Sequence, residues 1–422
     1  MNTIRSSLLI LSGVFILISF GAANKIIIPM DLSQTDHLKA YGLVYWILKH
    51  GINVEWLLNY RGGTFLTDDF SLTQSEARLR GVFTEIVEPE ETMQIFGEIQ
   101  ESNMDVMLLE KAPKIAVYTP PNKQPWDDAV TLVLTYAEIP FDKIWDEDVF
   151  NNKLDDYDWL HLHHEDFTGQ YSKFFRVYSN AEWYIKQKNE SENLAQKCGY
   201  KKVSTAKGAV SLLIHNYVNR GGFLFAMCCA TNTLDIALAA YNTDICDAVF
   251  DGDGPDPGYR EKLDFKKCLA FTDFEIDVNP FSPNHCNIDF NHVNSIAERK
   301  EALDFTLFDF SAKYDPVPCM LIQNHVNYIK GFFGLCTSFK KSVIKRSVTI
   351  LGEAQGAGNA KYLHGNLGKG QFTFLGGHDP EDFSHLVGDA PTELRLHKNS
   401  PGYRLILNNV LFPAAKKKKR KT

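Results

Sequence analysis

The sequence has no surplus of basic charge. Its 44 Lys and Arg stand against 52 Asp and Glu, a formal net charge of -8 over 422 residues, which argues against a nucleic-acid groove, because neutralising phosphates takes a basic surface. Its longest greasy run, Leu8 to Phe20, falls short of the roughly 20 apolar residues that cross a bilayer. There is no CxxC pair and no Cys/His ligand spacing, so the sequence gives no sign of a structural zinc site. No internal repeat or low-complexity segment occurs beyond the terminal basic run Lys416 to Lys421, which reads as a frayed, solvated tail. What remains is a water-soluble globular chain. Hydrophobic residues at 44% and charged residues at 23% are ordinary for packed domains, and the length suits about two of them.

The N-terminus has the order of a secretory signal: Arg5, the apolar run, then Gly21, Ala22 and Ala23. Cleavage is expected near Ala23, giving an exported protein, periplasmic or extracellular, with no membrane insertion afterwards. Eight cysteines follow, from Cys198 to Cys336. Their wide scatter indicates buried thiols or one or two incidental bridges rather than a disulfide framework.

Residues 24–112 read as a small α/β domain. The apolar run Ile26 to Met30 is a strand, Asp36 to His50 a helix with Leu38, Tyr41, Val44, Tyr45 and Leu48 on one face, and Val54 to Tyr60 a second strand, a βαβ opening. Met104 to Leu109 adds a strand before Pro113. From there to Pro413 the pattern restarts with strand Lys114 to Tyr118, helix Trp126 to Glu138 and strand Trp159 to His163. Helix Thr205 to Asn219, strand Phe223 to Met227 and helix Asn232 to Tyr241 follow. Alternating strands and helices predict a doubly wound, mostly parallel α/β sheet with its chemistry at the carboxyl ends of the strands. Residues 244–314 break the rhythm as an insertion, and Asp251 to Gly258 within it reads as a Gly/Pro turn rather than a calcium loop. Residues 414–422 form the tail.

Two stretches carry candidate chemistry. In GGFLFAMCCATNTLD a strand stops at Cys228 and a helix begins, the layout of a nucleophile elbow, where the helix dipole favours thiolate and the Cys229 amide can face an oxyanion. In GKGQFTFLGGHDPEDF a strand from Gln371 to Leu375 delivers His378, with Asp379 or Glu381 placed to orient the imidazole. A third stretch, HLHHEDFTG, puts His161 and His163 on one strand face and crowds His164, Glu165 and Asp166 into the following loop. Such a set suits a divalent metal or a polar, sugar-like ligand. The reading adopted is a ligand-facing loop, with no metal and no cofactor assigned.

The elbow and the terminal GHDPE resemble the class I glutamine amidotransferase superfamily, nearest its trehalose-utilisation branch, on Gly221, Gly222, Ala230 to Thr233 and Gly368 to Glu381. The resemblance implies a flavodoxin-like fold over about Pro113 to Pro413, with Cys228 as nucleophile and His378 as base. The whole chain, including IPMDLSQTDHLKAYG and SPGYRLILNNVLFP, is similar to exported bacterial proteins often labelled asparagine synthetase B. That synthetase needs a cysteine after Met1 and an SGGxDS-like loop, whereas this chain has Asn2 and no such loop. The base motif departs from His-Pro-Glu in that His378 is followed by Asp379 and Pro380, and His163 to Gly169 stand where a GGPG oxyanion loop is usual.

The sequence therefore offers an exported Cys-dependent amidase or hydrolase built on Cys228, His378 and Glu381, with Cys229, His163, His164 and Glu165 in the oxyanion or ligand loop. The alternative is a binding module for a small-molecule or glycan-like ligand, such as a carbohydrate or cell-wall fragment, or an assembly scaffold on the same fold. Accessibility of the Cys228 thiol separates them: an inert, buried Cys228 beside a ligand-lined cleft favours the module.

Overall fold

The computed structural model describes residues 23–122, 124–289, 304–315, 317–332, 334, 336–354, 358–382 and 387–416. The expected signal segment, apart from Ala23, and residues 417–422 of the basic tail lie outside the described residues, as do 290–303 of the expected insertion.

The first unit holds β1 (Lys25–Ile28), α1 (His37–Lys49), β2 (Val54–Leu58), β3 (Thr64–Asp68), α2 (Ser71–Arg80), β4 (Glu85–Val87), α3 (Pro89–Glu101) and β5 (Asp105–Leu109). Its sheet runs β4-β1-β3-β2-β5. The βαβ opening is corrected here. β3 inserts between β1 and β2 and pairs antiparallel with both, so β1 and β2 are not neighbours. A tight turn makes this possible: Asn59, Arg61, Gly62 and Gly63 all have positive φ, reversing the chain within five residues of backbone.

The second sheet runs β11-β10-β12-β13-β14-β9-β8-β6-β7. Its strands are β6 (Ile115–Tyr118), β7 (Asp142–Ile144), β8 (Trp159–Leu162), β9 (Phe223–Met227), β10 (Phe305–Leu307), β11 (Tyr328–Ile329), β12 (Thr349–Ala354), β13 (Ala360–Leu367) and β14 (Gly370–Leu375). β7, β6, β8, β9 and β14 are parallel, and the pairs from β14 out to β11 are antiparallel. The chain is thus mixed α/β with a sheet containing parallel strands.

Helices α4 (Ala129–Tyr136), α5 (Asp146–Phe150), α6 (Phe175–Tyr178), α7 (Glu182–Lys197), α8 (Val203–Arg220) and α9 (Cys229–Ala239) lie between these strands, and a C-terminal helix spans Pro401–Leu411. Strand residues alternate between two cores, as a pleat requires. Val117, Trp159, Phe225 and Met227 pack with α4, the C-terminal helix and α1. Leu160, Leu162, Leu224 and Ala226 pack with α8 and α9. The first core continues into Ile26, Trp56 and Phe65 of the first sheet, so α1 is wrapped by both units. That is why α1 is buried on nearly all sides where its pattern predicts one face. Arg404, fully buried, ties the units together by donating to Met30 O (2.7 Å) and Tyr41 Oη (3.0 Å). No helix among the described residues is long and apolar enough to cross a membrane.

Candidate functional site

Five parallel strands finish at one edge of the sheet, and the loops leaving β6, β8, β9 and β14 meet there. Backbone hydrogen bonds stitch them together: Cys228 N donates to Gly377 O (3.0 Å) and Ala230 N to His163 O (3.0 Å). The residues singled out in the three separate sequence stretches are therefore neighbours in space.

Cys228 sits between β9 and α9 with φ 47° and ψ -132°, a strained left-handed conformation for a residue with a Cβ. Its side chain is fully buried. Cys229 opens α9. Its Sγ lies 3.7 Å from Ser172 Oγ, and burial pushes that thiol well above its ordinary pKa. All eight cysteines are thiols, seven of them buried and Cys198 half-buried. The incidental bridges allowed by the sequence do not form.

His378 leaves β14 through Gly376 and Gly377. At Gly377 φ is +98° and an added Cβ would stand 2.0 Å from Phe332 O, so only glycine fits the turn that carries the imidazole over the sheet. His378 Nε2 lies 3.1 Å from His164 Nε2. The carboxylates expected to orient it are employed elsewhere. Asp379 accepts from Tyr403 Oη (2.7 Å), Thr392 Oγ1 (3.1 Å) and Glu381 N (2.9 Å), and Glu381 reaches His397 Nδ1 at 3.3 Å. Glu381, the acid expected to orient His378, is thus paired with the His397 ring.

The HLHHEDFTG stretch builds a denser arrangement. His161 and His163 do share a face, and both turn toward Asp128, which heads α4 and caps it by accepting from Thr131 N (2.7 Å). Asp128 Oδ2 accepts from His163 Nδ1 at 3.1 Å and lies 3.5 Å from His161 Nε2, while His161 Nδ1 donates to Phe225 O (3.0 Å). Burial alone would raise the Asp128 carboxyl, but the rings of His163 and His161 hold it well below the usual range. Burial lowers His161 against the pull of Asp128. The His163 ring stacks on His164 at 4.0 Å, and His378 completes the group at 4.5 Å and 4.4 Å from the two. Glu165 is buried and accepts from His163 N (3.0 Å), with its carboxyl raised to about 7 by burial.

Asp166 has an architectural part. It takes bonds from Thr168 N (2.7 Å), Ser172 N (2.6 Å) and His285 Nε2 (3.2 Å), and these hold it at about 2 although burial opposes them. They fold the loop through Tyr171, Ser172 and Lys173, three consecutive residues with positive φ. Lys173 Nζ then donates to the carbonyls of Asp277 (2.5 Å), Asn279 (3.1 Å) and Asn284 (2.7 Å), binding the first part of the expected insertion to this loop. At the Asp251 to Gly258 turn the Lys202 ammonium reaches Asp244 (2.5 Å), Asp251 (3.3 Å) and Asp253.

Beside the imidazoles opens a cleft of about 480 Å³ between the β6–α4 turn, the loop after β8 and α7. Trp126, Trp145 and Tyr171 give it aromatic walls; Asn122, Gln124, Asp127, His164, Glu165 and Gln187 give it polar ones. Cys228 is not among its lining residues. Trp126 also packs edge-on against Trp183 of α7 at 5.5 Å. Three buried polar atoms in the lining side chains have no hydrogen-bond partner: Trp126 Nε1, Tyr171 Oη and Gln187 Oε1. A buried polar atom of this kind calls for a partner, and a water or ligand oxygen could supply it. The residues on the β6–α4 turn, Trp126 to Asp128, escaped the sequence reading. The signal that could have found them is the Pro-rich turn directly after the first strand of the second unit.

No protein-family model matches the chain and no curated protein matches it. Among solved structures, two cytoplasmic proteins of Salmonella typhimurium are similar at TM-scores of 0.36 and 0.35, with 10% and 13% identity. Each comparison covers 72% of this chain and 100% of the other. A family 42 β-galactosidase follows at TM-score 0.26 and 12% identity, covering 64% of this chain and 28% of that one. Likenesses this distant assign neither fold nor function.

Proposed function

We propose that the protein is a binding module for a polar, glycan-like ligand, held in the cleft between the β6–α4 turn and the loop after β8. The observation that carries this reading is the cleft lining, in which Trp126, Tyr171 and Gln187 carry partnerless polar atoms beside the aromatic faces of Trp126, Trp145 and Tyr171. Sugars present hydroxyls for the former and flat C–H faces for the latter.

The finer fold reading is part of the same proposal. In chain order the parallel strands are β6, β7, β8, β9 and β14, and their spatial order β7-β6-β8-β9-β14 follows the 2-1-3-4-5 pattern of flavodoxin-like, doubly wound sheets. In that pattern ligands settle where the order reverses, between the first and third strands. Here that place lies between β6 and β8, beside which the cleft opens.

Fluorescence titration of the full chain with chitotetraose and with a muramyl disaccharide tests the reading. Saturable quenching lost in Trp126→Ala supports it. Titrations that leave the wild type unchanged overturn it for these classes.

A second reading, a Cys-dependent amidase resembling the glutamine amidotransferases, draws support from the φ 47°, ψ -132° elbow at Cys228 and its backbone bond to Gly377, next to His378. The full burial of Cys228 and its place outside the cleft lining weigh toward the module. Rapid alkylation of Cys228 in the folded protein, lost in His378→Ala, would reverse that weighting.

A further inference from the structure

We infer that His163, His164 and His378 form a binding site for one divalent transition ion of the zinc type, beside the proposed cleft, which His164 lines. The inference deepens the binding-module reading by giving that cleft a Lewis-acidic anchor for ligand oxygen atoms.

Each of the three imidazoles offers a ring nitrogen, and the three atoms lie within 4.8 Å of one another. The closest two, on His164 and His378, are 3.1 Å apart. Tetrahedral bonds of about 2.1 Å to nitrogen demand separations of roughly 3.4 Å, which modest side-chain adjustment reaches. At His163 the Nδ1 is engaged by Asp128, so Nε2 is the atom available to the group. That Nε2 is buried without a hydrogen-bond partner, in a residue with no exposed surface. A buried imidazole nitrogen left in this state is a cost unless something completes it.

The Asp128 carboxylate fixes the tautomer and angle of His163 as acids behind metal-bound histidines do. Asp128 is itself held by the head of α4, and its bond to His163 spans two elements of the sheet edge. His164 Nε2 donates to Asp127 O at 2.7 Å in the ion-free chain. Binding moves that proton to Nδ1 and exchanges the carbonyl bond for one to the ion. His164 also lines the cleft, which leaves a fourth position on that side for water or a ligand oxygen, the open arrangement of three protein nitrogens. Imidazole donors favour zinc, cobalt, nickel and copper over magnesium or calcium.

The test is cobalt loading of the full-length, tag-free chain, followed by gel filtration, elemental analysis and visible spectroscopy. The expected result is about one cobalt per chain with the intense visible bands of a tetrahedral site. The ion should be lost in His164→Gln and in His378→Gln, and held about 10- to 100-fold more weakly in Asp128→Asn. His215→Gln, a change on α8 away from the cluster, keeps the ion. His164 is half-buried, so its variant should fold even where His378→Gln does not, and circular dichroism checks each. Wild-type protein without cobalt, or with cobalt that survives His164→Gln, overturns the site. Titrating the metal-stripped chain with chitotetraose separates the two claims. Glycan binding without metal binding sinks only the metal site, and metal binding without glycan binding sinks only the module.

Discussion

Replacing Asp128 by alanine removes the post on which the site is built. The change deletes the cap that Thr131 N makes on α4 at 2.7 Å, worth about 1 kcal/mol. It also deletes a charge-assisted bond from His163 Nδ1 at 3.1 Å, worth about 1.5 to 3 kcal/mol. His161 Nε2, at 3.5 Å, then faces a void. The expected loss of stability is about 2.5 to 4 kcal/mol. Asparagine keeps the cap and offers His163 only a neutral partner, so Asp128→Asn should cost about half as much. Asp36 provides a comparison. It caps α1 through Lys39 N (3.0 Å) and accepts from Tyr136 Oη (2.6 Å), so by the same accounting Asp36→Ala should also cost about 2.5 to 4 kcal/mol. Equilibrium urea unfolding followed by tryptophan fluorescence measures the three. An Asp128→Ala loss no larger than the roughly 1 kcal/mol of the cap alone would refute the claim that Asp128 holds the imidazole cluster.

Burial lowers the pKa of the Lys361 ammonium from 10.5 to about 7 despite nearby Asp289 and thiols. Between those values the unfolded chain binds a proton the folded chain has released. Stability therefore rises with pH through this window, by at most about 1.4 kcal/mol per unit. Lys361→Met should flatten the rise, as seen in unfolding midpoints at pH values across the window. Lys173→Met leaves three carbonyls without their donor, and hydrogen exchange should accelerate in peptides covering residues 277–284 while the first sheet is unaffected. Cys228→Ala should leave glycan titration curves unchanged, since that side chain does not line the cleft; loss of binding would move the weight to the elbow. Gly377→Ala forces a Cβ against Phe332 O and should weaken cobalt binding along with overall stability, both readable on one preparation.

The strands and helices that carry the site were legible because their signals are local. Phe223–Met227 is read to the residue, and α8 and α9 lie within a few residues of their sequence-based bounds, since continuous apolar runs and 3.6-residue spacing mark them. The first sheet was not, because the pairing of β3 between β1 and β2 is a long-range event that periodicity does not encode. Its one local sign is the Arg61, Gly62, Gly63 turn. At the site, the strand ends that deliver Cys228, His163 and His378 follow from the α/β alternation. The turn of Glu381 toward His397 depends on Asp379 caging the intervening backbone. Asp128 was invisible for a related reason: its partners His161 and His163 are more than thirty residues away, and nothing in its own neighbourhood distinguishes it from an ordinary helix cap.

The most direct test of the central claim, that the cleft beside the switch between β6 and β8 is the binding site, is hydrogen exchange of the full chain with and without saturating chitotetraose or muramyl disaccharide. The account predicts protection confined to peptides that carry cleft-lining residues, chiefly those within 119–132, 164–171 and 187–191 together with Lys143, Trp145, Val203, Lys207 and Pro391. Protection centred on the Cys228 elbow or on the first sheet, or none with either glycan, would contradict it.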